Sequence, residues 1–117
     1  MKIDESGIVL RVENYEACVD FYTNILELEV RFKKESLTAF QFGAAYLLIE
    51  KGEPMPSSIR NVEYPPVLLR LNVQDVNQAV SHVRAKGAEA EFRSWDWGDV
   101  GRMYDPDGNL VEFCKWK

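Results

Sequence analysis

Apolar and polar residues alternate in the same order along two stretches of this chain. Residues 8–12 and 69–73 each place an apolar side chain at every second position, which is typical of a strand with one buried face. A polar residue suited to begin a helix follows each strand, Asn14 in the first stretch and Asp75 in the second. The repetition predicts two copies of one strand–helix unit.

Each of the two polar residues begins a segment with helical periodicity. Apolar side chains recur at the i, i+3, i+4, i+7 spacing that gives a helix one buried face. Gln78 lies three residues after Asp75 and resembles the partner residue of a capping box, and Gly87 is expected to end the second helix. The residues of the two apolar faces are Cys18, Phe21, Tyr22 and Ile25 in the first helix and Val76, Ala79, Val80 and Val83 in the second.

Three short strands are expected after each helix, with Gly43 and Gly108 at matching positions ahead of the last strand of each half. A segment rich in Gly, Pro and Ser, residues 52–58, separates the halves. The expected strands cover residues 29–33, 37–42 and 45–51 in the first half and 89–95, 101–104 and 110–115 in the second.

This order predicts an α+β fold built from two βαβββ modules, residues 5–52 and 65–117, with a linker at 53–64. One module is too small to bury its own core. The modules are therefore expected to pair into a curved mixed sheet, with a concave cleft inside and the helices outside, as a single domain over residues 1–117.

Composition narrows the range of partners. The net charge of −5 and the isoelectric point near 4.9 disfavour a nucleic-acid partner, which would require a basic face. No apolar run approaches the roughly 20 residues of a membrane helix, and residues 1–6 lack the apolar core of a signal peptide. A cytoplasmic protein without a membrane role is expected. Cys18 and Cys114 form no Cys-x-x-Cys pair and are expected to be buried.

Strand alternation also indicates which side chains look into the cleft, because every second residue shares a face. In the last strand of the first half, Leu47 and Ile49 are expected inside with Ala45, so that Glu50 would lie outside the cleft. The inward residues of the other strands are expected to be Gly7, Val9 and Arg11, then Leu68, Arg70 and Asn72, and finally Leu110, Glu112 and Cys114.

The most specific motif is the run of residues 105–113. Asp105, Pro106, Asp107 and Gly108 predict a tight turn, and the strand after it carries Glu112 on one face. This run, together with the strand–helix opening through residues 20–22, resembles the glyoxalase, bleomycin resistance and extradiol dioxygenase group, the vicinal oxygen chelate superfamily. The resemblance covers nearly the whole chain and implies the fold described above. It also implies a homodimer, because relatives of this length commonly pair.

Metal-binding members of that superfamily hold a divalent ion with four inward residues, usually His and Glu. The resemblance assigns these positions to Gly7, Leu47, Leu68 and Glu112. Glycine and leucine side chains offer no lone pair, and a single glutamate does not offset the dehydration of a divalent ion. The only histidine, His82, falls on the outer face of the second helix and is expected at the surface. No metal and no cofactor is therefore expected.

The cleft keeps four polar residues, Arg11, Arg70, Asn72 and Glu112. The arginines either neutralise Glu112 or reach solvent, or they bind an anionic group of a ligand, which suits the planar guanidinium. The resemblance also matches Arg11 to an arginine that contacts the glutathione part of the substrate in glyoxalase I.

Two tryptophans, Trp95 and Trp97, flank a short predicted hairpin. They either wall a pocket and stack on a flat or cationic ligand, or cover a sheet edge or a dimer contact. A Trp-Gly pair ahead of the turn at residues 105–109 resembles metal-free relatives, including those that sequester drugs.

Three functions follow from this pattern. The first is a metal-free protein that binds a small organic molecule through Arg11, Arg70, Asn72, Glu112, Trp95 and Trp97. The second is a metalloenzyme like glyoxalase I or a dioxygenase, which the missing ligands disfavour. The third is a metal-free enzyme with Glu112 as catalytic base, which the sequence does not separate from the first.

Overall fold

The computed structural model describes residues 2–53, 65 and 67–117. The chain separates into two compact units, Met1–Met55 and Pro56–Lys117. Each unit carries one helical region and one four-stranded sheet in the order strand, helix, three strands, so the predicted α+β fold with two βαβββ modules is confirmed. The expected linker, residues 53–64, lies outside the described residues except for Glu53.

The first unit contains a mixed sheet in which the first and last strands run parallel. The strand order is β1-β4-β3-β2, and the other two pairings are antiparallel. Its elements are β1 (Gly7–Val12), α1 (Tyr15–Asp20), β2 (Val30–Lys33), β3 (Leu37–Phe42) and β4 (Ala45–Lys51).

The second unit repeats this topology with the order β5-β8-β7-β6, in which β5 and β8 are parallel. Its elements are β5 (Leu69–Asn72), α2 (Val76–Ala85), β6 (Glu91–Trp95), β7 (Gly98–Tyr104) and β8 (Leu110–Trp116). The main departure from the expected strands is β7, which begins three residues earlier because only Asp96 and Trp97 form the turn before it.

The two helices begin differently. Asp75 accepts a hydrogen bond from the backbone N–H of Gln78 (3.0 Å), so the predicted cap of α2 is confirmed, and Gly87 follows the helix with φ +96°. Asn14 lies at the predicted position directly before α1, and its carbonyl accepts the bond from the N–H of Cys18 (2.9 Å). Its side chain makes no capping bond, so the expected side-chain cap is wrong. The backbone of Asn14 (φ −88°, ψ 65°) lies outside the extended region that capping residues use. After α1 the chain continues as a π-helical segment, Phe21–Ile25.

Close packing of α2 on β7 decides which face of the second sheet is left for a site. A Cβ atom on Gly101 would lie 2.5 Å from Cγ2 of Val80, so the helix approaches the strand at the glycine. Neighbouring strands place Phe113 beside Gly101 on this face. The neighbouring pair, Arg102 after Gly101 and Glu112 before Phe113, therefore projects from the opposite face.

The register of β4 corrects the expectation for the first unit. Ile8 pairs with Leu47 and Leu10 with Ile49, and paired residues point to the same face. Leu47 and Ile49 therefore share the face of Ile8 and Leu10, not that of Arg11, and the prediction is wrong. Glu50 pairs with Arg11 and shares its face. Residues 45–49 are all apolar, so β4 has no alternating pattern from which its faces can be assigned.

The remaining expectations concern the two cysteines, the histidine and a membrane-spanning helix. Cys18 and Cys114 are both buried free thiols, as predicted, and His82 is exposed on α2. Among the residues that the structure describes, no helix has both the length and the apolar character needed to cross a bilayer.

Candidate functional site

A cavity of about 380 Å³ lies on the face of the second sheet opposite α2. Its volume falls within the range of small-molecule sites. We call it the arginine pocket. It is lined by Pro65, Leu68, Arg70, Arg93, Trp95, Trp97, Val100, Arg102, Leu110 and Glu112, all of the second unit.

Strand pairing places Glu112 between two arginines. Arg70 is the partner of Glu112 across the parallel β5–β8 pairing, and Arg102 is its partner across the antiparallel β7–β8 pairing. Directly paired residues project from the same face with neighbouring Cβ atoms. The three charged side chains therefore form one row across β5, β8 and β7.

The two oxygens of Glu112 contact different guanidinium groups. Arg70 donates to Oε1 from Nε (3.2 Å) and Nη2 (2.8 Å), whereas Nε of Arg102 lies 3.4 Å from Oε2. Glu112 is only 6% exposed. A carboxylate so buried is costly unless it is paired and hydrogen-bonded. Arg70 supplies the hydrogen bonds, and Arg102 adds a second ion pair.

A tryptophan continues this row beyond Arg70. The guanidinium carbon of Arg70 lies 5.8 Å from the centroid of the Trp97 ring, within cation–π range. Trp97 occupies the two-residue turn between β6 and β7, and its carbonyl accepts a hydrogen bond from the backbone N–H of Lys117 (3.0 Å). The turn is thereby tied to the end of β8, which holds the ring at one edge of the pocket.

The tryptophans at this edge keep much of their surface in solvent. Trp95 is 47% and Trp97 49% exposed. Trp95 pairs with Gly98 and lies two residues beyond Arg93 on β6, so both side chains project from the pocket face. The result is an apolar ring surface beside cationic groups, an arrangement suited to a flat ligand.

Arg93 is held less firmly than the other two arginines. Its only ion pair among the described contacts is with Glu91 (Nη2 to Oε2, 3.2 Å), and both side chains are solvent-exposed. Such a surface pair contributes little to stability. The described residues that line the pocket thus include three arginines and one glutamate, a net charge of +2 within a chain whose net charge is −5.

Four of the six predicted site residues come together in this pocket: Arg70, Glu112, Trp95 and Trp97. Asn72 lies further along β5, outside the lining, and its amide donates to the carbonyl of Cys114 at 3.4 Å. Arg11 belongs to the first unit, where its Nε lies 3.3 Å from Oε2 of Glu50. A ligand-binding role for Arg11 and Asn72 stays a prediction.

Sequence reasoning missed Arg93 and Arg102, although a signal for Arg102 was present. The turn at residues 105–109 is closed by the backbone bond from Asp105 N–H to Asn109 C=O (2.9 Å). Oδ1 of Asp105 accepts further bonds from the N–H groups of Asp107 and Asn109, both at 2.9 Å. Residues equally distant from the centre of such a turn become partners, and this rule pairs Arg102 with Glu112.

In the described part of the second unit, the residues at the positions assigned to a metal do not fit a divalent ion. Leu68 offers only hydrocarbon, both oxygens of Glu112 face guanidinium groups, and those cations would repel a metal. In the first unit the partner of Val9 is Leu48, so neither Leu47 nor Leu48 supplies a ligand on either face of β4. No group of three or more His, Cys, Asp or Glu side chains with metal-site geometry occurs in the described part of the chain.

Comparison with known proteins gives one family and many similar folds. The model of the Glyoxalase/Bleomycin resistance protein/Dioxygenase superfamily matches residues 6–113. The antibiotic binding protein TnmS3 from Streptomyces sp. CB03234 is 19% identical with a TM-score of 0.79, over 100% of this chain and 99% of that one.

Two further structures have other functions in their descriptions. The fosfomycin resistance protein FosX from Listeria monocytogenes is 20% identical with a TM-score of 0.78, over 100% of this chain and 94% of that one. A lactoylglutathione lyase from Agrobacterium tumefaciens is 18% identical with a TM-score of 0.72, over 97% of this chain and 94% of that one. At these identities the structures share a fold, which does not determine function.

Proposed function

Since this chain belongs to the Glyoxalase/Bleomycin resistance protein/Dioxygenase superfamily, we propose that it binds a small organic molecule in the arginine pocket of its second unit. The observation that carries the proposal is the row Trp97–Arg70–Glu112–Arg102, which fixes two cations and one ring on the wall of a cavity. Groups held in place before binding lose little conformational entropy when a ligand arrives.

The two alternative functions have weaker support. A metalloenzyme such as a lactoylglutathione lyase needs a ligand set that Leu68 and an arginine-paired Glu112 do not supply. A metal-free enzyme would use Glu112 as a base, but both of its oxygens already face guanidinium donors. Sequestration or transport of a small molecule requires neither, and the antibiotic binding and fosfomycin resistance proteins of similar fold support a ligand of this size class.

The assembly and location of the protein belong to the same proposal. We propose a cytoplasmic homodimer that acts without a cofactor, a nucleic-acid partner or a membrane. The acidic net charge of −5 supports the absence of a nucleic-acid partner. Sedimentation equilibrium would determine the oligomeric state, and a monomer at micromolar concentration would contradict this part of the proposal.

The test of small-molecule binding is a screen with a spectroscopic readout inside the pocket. The compound set contains equal numbers of acids, neutral molecules and amines. We expect at least one compound to raise Tm and to change the fluorescence of the tryptophans, because a ligand that binds only the folded state stabilises it. Trp116 is exposed on β8 outside the pocket and provides the matched control.

The control separates pocket binding from binding elsewhere. Trp97→Phe should alter the fluorescence response to a bound compound, whereas Trp116→Phe should leave the response intact. If no compound raises Tm or changes the fluorescence, small-molecule binding in the arginine pocket is wrong. If Trp116→Phe alone removes the response, the compound binds outside the pocket and the proposed site is wrong.

A further inference from the structure

Charge and shape together select one class of ligand for the arginine pocket. We infer that the pocket binds an aromatic carboxylate, with the anionic group on Arg93 and Arg102 and the ring against Trp95. The inference rests on the proposed function and goes beyond it, because the sequence left a cationic ligand and an anionic ligand equally open.

N–H donors outnumber charged acceptors in the described part of the pocket lining. Arg70, Arg93 and Arg102 each present five N–H donors, and among the described residues of the lining the one charged acceptor is the carboxylate of Glu112. Arg70 alone directs two of its donors at one oxygen of that carboxylate. Donor capacity therefore exceeds acceptor capacity, and an incoming anion corrects that imbalance where a cation would worsen it.

The two arginines that would hold the anion are spaced so that both can reach it. Arg93 pairs with Val100 across β6–β7, and Arg102 pairs with Glu91. Arg93 and Arg102 are thus diagonal neighbours on one face of an antiparallel pair, where residues lie about 7–8 Å apart and their Cβ atoms somewhat closer. Long side chains from such positions reach a common carboxylate placed between them.

Arg93 can leave its present ion pair with Glu91 at a small cost in free energy. Its present partner, Glu91, lies on the same strand and is 68% exposed at the side chain. A ligand carboxylate replaces that surface pair with a contact inside a cavity, where it is less screened by water and salt. Arg70 is less suited to this role because it donates two hydrogen bonds to Glu112 and lies against the Trp97 ring, whereas Arg102 approaches the same carboxylate through Nε at 3.4 Å.

The apolar part of the pocket suits a ligand whose body is flat and aromatic. Trp95 lies two residues from Arg93 on the pocket face of β6, with about half of its surface in solvent. Leu68, Val100 and Leu110 line the remainder of the cavity with hydrocarbon. A ring packs on these surfaces while its carboxylate points to the two arginines.

The experiment uses three probes of one shape and different charge: naphthoate, its neutral amide naphthamide, and cationic naphthylmethylamine. Dissociation constants are measured with the intact protein by tryptophan fluorescence and by calorimetry. Naphthoate should bind at least about tenfold more tightly than naphthamide, the difference expected for one charge-assisted hydrogen bond. Naphthylmethylamine should bind more weakly than either.

Substitutions assign the anion contact to particular residues. Arg93→Gln and Arg102→Gln should each weaken naphthoate about tenfold and leave the affinity for naphthamide unchanged. Lys115→Gln removes the same charge from an exposed position outside the pocket and should change naphthoate affinity by less than about twofold. If Arg102→Gln does not fold, the exposed residue Arg93 decides the question.

The outcomes separate this inference from the proposed function. If naphthamide or naphthylmethylamine binds as tightly as naphthoate, or if Arg93→Gln leaves naphthoate affinity unchanged, the anion site is wrong while small-molecule binding stands. If only neutral compounds or amines of the larger screen bind, the inference alone also fails. If neither the probes nor any compound of the screen binds, both proposals are wrong.

Discussion

Arg102 and Glu112 face each other directly across β7 and β8, with Nε of the arginine 3.4 Å from Oε2 of the glutamate. The side chain of Arg102 is only 13% exposed, so this pair is more enclosed than the Arg70–Glu112 pair on the other side of the carboxylate. The relationship gives Glu112 a structural role that its position alone did not reveal. It orients two cations on the wall of a cavity.

Glu112→Gln should destabilise the protein by about 2–3 kcal/mol, because it leaves two guanidinium groups without their counter-ion. This loss is smaller than the loss on breaking a fully buried pair, because Arg70 is one-third exposed and remains partly hydrated. Urea unfolding measures the change. The matched control is Glu91→Gln, which breaks an exposed arginine pair and should cost less than about 0.5 kcal/mol. Equal losses in both variants would contradict an enclosed charge row.

The Arg102–Glu112 pair should also show energetic coupling. Arg102→Met leaves Glu112 with Arg70 alone, and Glu112→Leu removes the carboxylate from both arginines, whereas in the double variant only Arg70 loses that partner. The double variant should therefore be more stable than the sum of the single changes predicts, by about 1–3 kcal/mol. A double-mutant cycle from denaturant unfolding gives this value. Strict additivity would indicate that the two side chains do not interact in solution.

Gly101→Ala should destabilise the second unit by about 1–3 kcal/mol through overpacking. The added methyl group would lie 2.5 Å from Cγ2 of Val80 and 3.4 Å from Cγ1 of Val76. Thermal unfolding provides the measurement. Val80→Ala in the same chain removes the obstructing methyl groups, so the combined variant should lose less stability than the two single variants together. No relief in the combined variant would mean that α2 does not approach β7 at this glycine.

A pH-dependent contribution to stability is expected from Glu5 and Arg31 in the first unit. Hydrogen bonds from Arg31 to the carboxylate hold the pKa of Glu5 below its ordinary value of 4.5. A lowered folded-state pKa stabilises the folded protein above the unfolded pKa, and that stabilisation is lost as the pH falls through the folded value. The wild-type protein and Glu5→Gln should therefore differ near neutral pH and converge in acid.

The measurement for this pair is the unfolding midpoint of both proteins between neutral and acidic pH. Arg31→Gln serves as the second arm and should lose the same pH dependence as Glu5→Gln, because both variants remove the Arg31–Glu5 hydrogen bonds. Arg31→Gln also removes the hydrogen bond from Arg31 to Gln41, which should lower its stability at every pH. High salt should reduce the difference at neutral pH, since the pair lies at the surface. A difference that grows toward acidic pH would contradict the assignment.

The sequence by itself determined the elements whose signals are local. The matching strands at residues 8–12 and 69–73, the cap at Asp75 and the turn at residues 105–109 all depend on neighbours a few positions away. Alternation in β5 and β8 also assigned Arg70 and Glu112 to one face correctly, because one face of β5 is apolar and the other polar.

Only the tertiary structure decided what depends on distant partners. In β4 both faces are apolar, so the hydrogen-bonded register with β1 settled that Glu50, not Leu47, lies beside Arg11. Arg93 and Arg102 joined the pocket through the pairing of β6 with β7 and of β7 with β8, because the register of these hairpins sets the face on which each arginine lies. A periodic pattern assigns a face only where its two sides differ in polarity, and the identity of a cross-strand neighbour is a property of the folded sheet.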